Sequence, residues 1–110
     1  MATKTTLDKK TNQEVIHYYS LLKKANIDVV KLIVFGSRAK GTSNTASDID
    51  LCVVSDQFGT NGYDDRVKLM MIRDRDSIDI EPHPYHPDDL LVKWDSLAHE
   101  IRTHGIEVKV

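Results

Sequence analysis

Cysteine is almost missing from this chain: Cys52 stands alone among 110 residues, so an internal disulfide is excluded. Its place in the apolar run from Ile49 to Ser55 suits a buried small hydrophobe better than a reactive thiol. Long apolar runs are missing too, and nothing approaches the roughly 20 residues that a membrane-spanning helix needs. The opening MATKTTLDKKTNQ is polar and carries no apolar signal core, so the expected compartment is the cytoplasm. There is no basic excess: 15 Lys and Arg against 17 Asp and Glu give a formal charge of −2, which makes nucleic acid a weak candidate partner. One Trp, four Tyr and two Phe are few for a base-stacking surface. Repeats, linkers and low-complexity segments are absent. What is left, 40% hydrophobic and 29% charged residues, is ordinary for a globular protein, and 110 residues suffice for one core but not two. A single domain over 1–110 is expected, with 1–10 as a flexible N-terminal segment.

Thr11 and Glu14 have the spacing of a capping box, and Val15, Tyr18, Tyr19 and Leu22 follow at helical intervals, predicting a helix that ends near Asn26. Val29 to Phe35 reads as a buried strand stopped by Gly36. Ser37 can cap a very short helix through Lys40, Gly41 can end it, and Thr42 to Ser47 reads as a loop. In a second strand, Ile49 to Ser55, a period of two puts Ile49, Leu51 and Val53 on one face and Asp48, Asp50 and Cys52 on the other. After the Asn61-Gly62 turn signal, Val67, Met70 and Met71 predict a half-buried helix from about Tyr63 to Arg75, with those methionines in the core. A third strand from Ser77 to His83 has Ile78 and Ile80 on one face and Asp79, Glu81 and His83 on the other, and Pro82 and Pro84 argue for an edge position or a strand end. Pro87 opens a helix whose apolar stripe is Leu90, Trp94, Leu97 and Ile101, divisible at Asp95-Ser96 and stopped at Gly105, before a final strand from Ile106. The fold class is α/β or α+β: helices packed on one small mixed sheet.

The chemistry concentrates in Gly36-Ser37-Arg38-Ala39-Lys40-Gly41 and Ser47-Asp48-Ile49-Asp50-Leu51. A strand that ends in Gly-Ser at a helix start offers unpaired backbone N–H groups and a hydroxyl without side-chain bulk, an arrangement suited to phosphate. Arg38 and Lys40 add positive charge. Two aspartates at i and i+2 on one strand face can hold Mg²⁺, which takes one or two carboxylates, substrate phosphates and several waters. A further carboxylate from a neighbouring strand, Asp79 or Glu81, would complete a two-metal site. Separately, each piece has a blander explanation as a turn, a solvated face or an acidic strand end. His83 and His86 have H-x-x-H spacing, but intervening prolines and the lack of further ligands argue against zinc. Tyr63, Tyr85 and Trp94 could stack on a base, yet Trp94 lies on the helical stripe, where core packing is the expectation.

Taken together, strand, Gly-Ser turn, short helix, loop and Asp-Ile-Asp strand resemble the G-S-x-A-[RK]-G…S-D-[IL]-D-L signature of the polymerase-beta-like nucleotidyltransferases. The likeness is to their minimal (MNT) group, related to the kanamycin nucleotidyltransferase domain. Ile80-Glu81-Pro82-His83-Pro84-Tyr85…Asp88-Asp89 and Glu100-Ile101-Arg102…Gly105-Ile106 resemble other stretches common in that group, so residues 13 to 110 are covered. The resemblance implies that Gly36 and Ser37 hold a triphosphate, assisted by Arg38 and Lys40. It implies two Mg²⁺ ions on Asp48, Asp50 and Glu81, with Asp79 as the alternative third ligand. The implied activity is transfer of a nucleotidyl group, AMP above all, from ATP or another nucleoside triphosphate to an acceptor hydroxyl. Because the chain ends with the core fold, a partner is expected to close the site. The MNT group is commonly paired with a helical HEPN protein, and some members are antitoxins that adenylylate it. Two other readings stand beside this one: an inactive antitoxin or regulatory subunit acting by contact, and one subunit of an aminoglycoside-type nucleotidyltransferase, with a homo-oligomer as one way to complete it.

Overall fold

The computed structural model describes residues 7–40 and 48–110; Gly41 and the expected loop Thr42 to Ser47 lie outside the described residues. Helix α1 spans Lys9–Lys24, and the residue that caps it is Asp8, whose carboxylate accepts from the Thr11 N–H at 2.7 Å. Thr11 is therefore inside the first turn and buried, and the cap lies three residues earlier than its Thr-x-x-Glu spacing predicts. An Asp at the N-cap satisfies an orphan amide and faces the positive end of the helix dipole, so it displaces the threonine from that role. At the other end Asn26 adopts φ 63°, a left-handed conformation that Asn tolerates, and the Ile27 and Asn26 N–H groups donate back to the carbonyls of Leu22 and Lys23.

Strand β1 (Lys31–Phe35), short helix α2 (Ser37–Lys40), β2 (Ile49–Val54), helix α3 (Gly62–Ile72), β3 (Ile80–Tyr85), helix α4 (Ser96–His104) and β4 (Ile106–Glu107) follow, with 3₁₀ turns at Arg75–Ser77 and Pro87–Leu91. The sheet has four strands in the order β3-β2-β1-β4. β1 runs antiparallel to β2 and β4, while β2 and β3 are parallel and joined across α3. The proline-bearing β3 is indeed an edge strand.

β2 is buried almost throughout, so its alternation separates two cores rather than core from solvent. Ile49, Leu51 and Val53 join the larger cluster with Leu32, Val34, Ile80, the α1 residues Val15, Tyr18 and Leu22, and Leu69 of α3. Cys52 and Val54 join Phe35 and Ile101 in a smaller one beneath α4. Burial pushes the Cys52 thiol up to about 12, as befits an inert packing group.

Two apolar expectations are corrected. In α3 the fully buried residue is Leu69, which receives the Tyr18 hydroxyl on its carbonyl, whereas Val67 and Met70 lie at the surface and Met71 is 79% exposed. The clustered apolar residues at 67–72 allow more than one inward face, and contact with α1 selects the one centred on Leu69. Trp94 is 88% exposed, because Asp95 caps α4 through the Leu97 and Ala98 N–H groups and breaks the stripe there. Ile78 also lies outside β3 and is exposed. Among the described residues no helix is long and apolar enough to cross a membrane.

Candidate active site

β1 delivers the chain to Gly36, which adopts φ 73°, and α2 starts at Ser37. A Cβ at Gly36 would stand 2.5 Å from Asp50 Oδ2. Only glycine meets both demands: the left-handed backbone and the close carboxylate. The turn and Asp50 are thus in contact, because Asp50 is the register partner of Phe35, the residue before Gly36.

On its other side Asp50 is in register with Glu81 of β3, and Cys52 with His83. Parallel pairing puts Glu81 and His83 on the same face as Asp50. One donor atom from each of Asp50, Glu81 and His83 lies within 4.8 Å of the others. The His83 ring packs edge-on against Phe35, centroids 5.1 Å apart, and its Nε2 lies 3.5 Å from Asp50 Oδ1. That contact is an ion-pair distance at the outer limit of hydrogen bonding, and among the described residues the buried Nε2 has no closer partner. From α3, Arg66 Nη2 donates to Glu81 Oε1 at 2.9 Å.

The electrostatics are those of a crowded anionic site. Burial raises the Asp50 pKa; the nearby His83 opposes the rise, and Glu81 and Asp48 add to it. Burial and then Arg66 lower that of His83, against the pull of Asp50 and Glu81. Asp48, exposed at the entry to β2, lines a pocket of about 200 Å³ together with Arg66, Asp79 and Glu81. A cavity of about 360 Å³ lies elsewhere, between Val30, Leu90 and Ile101, and holds none of these groups.

Of the expected residues, the structure brings Gly36, Asp50 and Glu81 together, with Asp48 at the rim. Asp79 sits just before β3: its carbonyl accepts the Ile49 N–H, and its N–H donates to Glu14 Oε2 at 3.2 Å. Burial and then Asp79 raise the Glu14 pKa, so this second acidic pair belongs to the α1 side. Arg38 is buried, and its Nη1 donates to Thr11 Oγ1 at 3.1 Å, near Asp8. Lys40 pairs with Glu100 of α4 at 3.6 Å. Both basic residues of the motif therefore join helices together.

Two site residues escaped the sequence. His83 shares the alternation of Glu81, which was the available signal, but its H-x-x-H spacing with His86 is structurally empty: His86 Nδ1 accepts the Asp88 N–H and caps a 3₁₀ turn. Arg66 carries no local signal, since its partner is distant in sequence and a charged helical residue reads as a solvated face.

With this geometry in place, residues 19–96 match the nucleotidyltransferase domain family. The chain belongs to that family. No curated protein sequence matches it. Among solved structures it is similar to a toxin-antitoxin with AMP-PNP, at TM-score 0.60 and 21% identity, covering 89% of this chain and 72% of that one. It is also similar to a candidate nucleotidyltransferase from Sulfolobus solfataricus, at TM-score 0.53 and 15% identity, covering 94% of this chain and 90% of that one. The fold is the expected polymerase-beta-like nucleotidyltransferase core, and the minimal form that the motif resembles is consistent with these likenesses.

Proposed function

We propose that this nucleotidyltransferase domain uses Mg²⁺ and ATP to move an AMP group onto a hydroxyl of a partner protein, as the antitoxin half of a pair with a helical HEPN-type toxin in the cytoplasm. The observation that carries the transferase reading is the register that sets Asp50 opposite Glu81, in contact with the Gly36 turn. The toxin-antitoxin neighbour with its AMP-PNP supports the nucleotide and the context.

The residues present fit a divalent cation. Partly buried carboxylates at close range repel one another, and a buried imidazole nitrogen without a hydrogen bond faces them; a cation relieves both conditions. Asp48, Asp50 and Glu81 would hold the two ions, whose chemistry is to acidify the acceptor hydroxyl and neutralise the triphosphate and departing pyrophosphate. Ser37 and the backbone at Gly36 hold and orient phosphate at the start of α2. Arg38 and Lys40 contribute field and keep α2 seated against α1 and α4. Arg66, held to Glu81 at 2.9 Å, is positioned to turn toward phosphate when Glu81 is otherwise engaged.

The test is incubation of the protein with α-labelled ATP, Mg²⁺ and a helical HEPN-type partner protein. Label on a partner hydroxyl, lost with Asp50→Asn, is expected. Neutralisation of the toxin without label would establish action by contact, and label on an aminoglycoside instead would move the acceptor to small molecules.

A further inference from the structure

We infer that His83 is a nitrogen ligand of the ion site, so that this centre discriminates in favour of Mn²⁺ over Mg²⁺ more strongly than an all-carboxylate site would. The inference rests on the metal-dependent reading above and concerns which ions the site accepts.

The side chain is built into place from three directions. Its backbone is fixed by parallel pairing with Cys52, its ring by the edge contact with Phe35, and its Nε2 by proximity to Asp50 Oδ1. It is 15% exposed, and among the described residues Nε2 is sealed from solvent with only the long contact to Asp50 Oδ1. A histidine serving only as packing would normally bring such an atom into a full hydrogen bond, because a buried polar atom without one is unfavourable. The neighbours that could occupy it are the two carboxylates, which are themselves ion ligands by type. Two donors in neighbouring positions on an octahedral ion at about 2.1 Å stand about 3.0 Å apart. The 3.5 Å between Nε2 and Asp50 Oδ1 is a small side-chain adjustment away from that spacing. Arg66 holds one oxygen of Glu81, Oε1, and it is long and 41% exposed, so it can swing away where that oxygen is needed.

The consequence follows from donor chemistry. Mg²⁺ demands oxygen and parts reluctantly with water, whereas imidazole favours the later divalent ions, with Mn²⁺ the earliest of the transition series to accept it alongside carboxylates. Even outer partners of a metal ligand are worth about 10–100-fold in affinity, so loss of a ligand should cost at least about tenfold.

The experiment measures binding of Mn²⁺ alone and Mg²⁺ alone to the purified protein by calorimetry, and records the electron spin echo envelope modulation of bound Mn²⁺. The wild type should show directly coordinated ¹⁴N. His83→Gln, checked for folding by its melting curve, should lose that signal and at least tenfold in Mn²⁺ affinity, while Mg²⁺ affinity changes little. The wild-type spectrum stands independently of whether the variant folds. Bound Mn²⁺ without nitrogen modulation overturns the inference and leaves the metal-dependent reading intact. If neither ion binds the wild type, with or without ATP, the inference and that reading fall together.

Discussion

The two faces of the sheet are built to opposite ends. On one, Val15, Tyr18 and Leu22 of α1 and Leu69 of α3 close over Leu32, Val34, Leu51 and Val53. On the other, Phe35, Cys52, Val54 and Ile101 form a small apolar patch, and the same strands continue along that face into Asp50, Glu81 and His83. One face holds the fold together and the other spends part of that stability on like charges at close range. The division is economical because β2 serves both: alternate residues of a single strand feed the core and the site.

Substitutions on the two faces should therefore behave differently. The largest effect is expected from Asp50→Asn, which keeps the shape but removes a partly buried charge that Glu81 and Asp48 repel. Transfer should fall on the order of a thousandfold, about 4 kcal/mol of barrier, while the metal-free melting temperature stays equal or rises. A lower melting temperature would make Asp50 an ordinary structural carboxylate and erase the contrast between the faces. On the opposite face Leu22→Ala empties a fully buried site and should cost about 2–5 kcal/mol in denaturant titration, against about 0.5 or less for exposed Trp94→Ala.

Gly36→Ala tests where turn and site meet. Its Cβ would press on Asp50 Oδ2 from a left-handed backbone, so a loss of about 1–3 kcal/mol is expected, together with reduced transfer. Full activity would separate the glycine turn from Asp50.

The smallest effect lies on the α1 side, where His17 Nε2 and Asp74 Oδ2 are 2.8 Å apart. The bond to His17 holds the Asp74 carboxyl below its ordinary value. A depressed carboxylate contributes stability above its unfolded value and loses it as pH falls through the folded one. His17→Ala should melt slightly lower at neutral pH, and the gap should close in acid; a gap that widens in acid would reverse the sign.

The glycine turn and the Asp-Ile-Asp strand were legible in the sequence because each depends on near neighbours: a backbone that only glycine adopts easily, and a period of two. Most elements followed from the same local rules, and misjudged details, such as the cap of α1 and the inward face of α3, arose where several local solutions were compatible with the residues. Trp94 illustrates the limit: its spacing fits an apolar stripe, yet the Asp95 cap interrupts the helix and leaves the ring in solvent.

By itself, the sequence determined the pieces of the site carried on one stretch of chain, Gly36, Ser37, Asp48 and Asp50, and the face on which Glu81 and His83 would lie. Only the tertiary structure decided which residue stands opposite Asp50, that His83 is pressed against Phe35 with Nε2 turned to Asp50, and that Arg66 reaches Glu81 while Arg38 turns to α1. The physical reason is register: a slip of one residue between β2 and β3 would turn Glu81 and His83 away from Asp50. That register is held by burial on both faces of the sheet at once, a property of the packed molecule rather than of any segment.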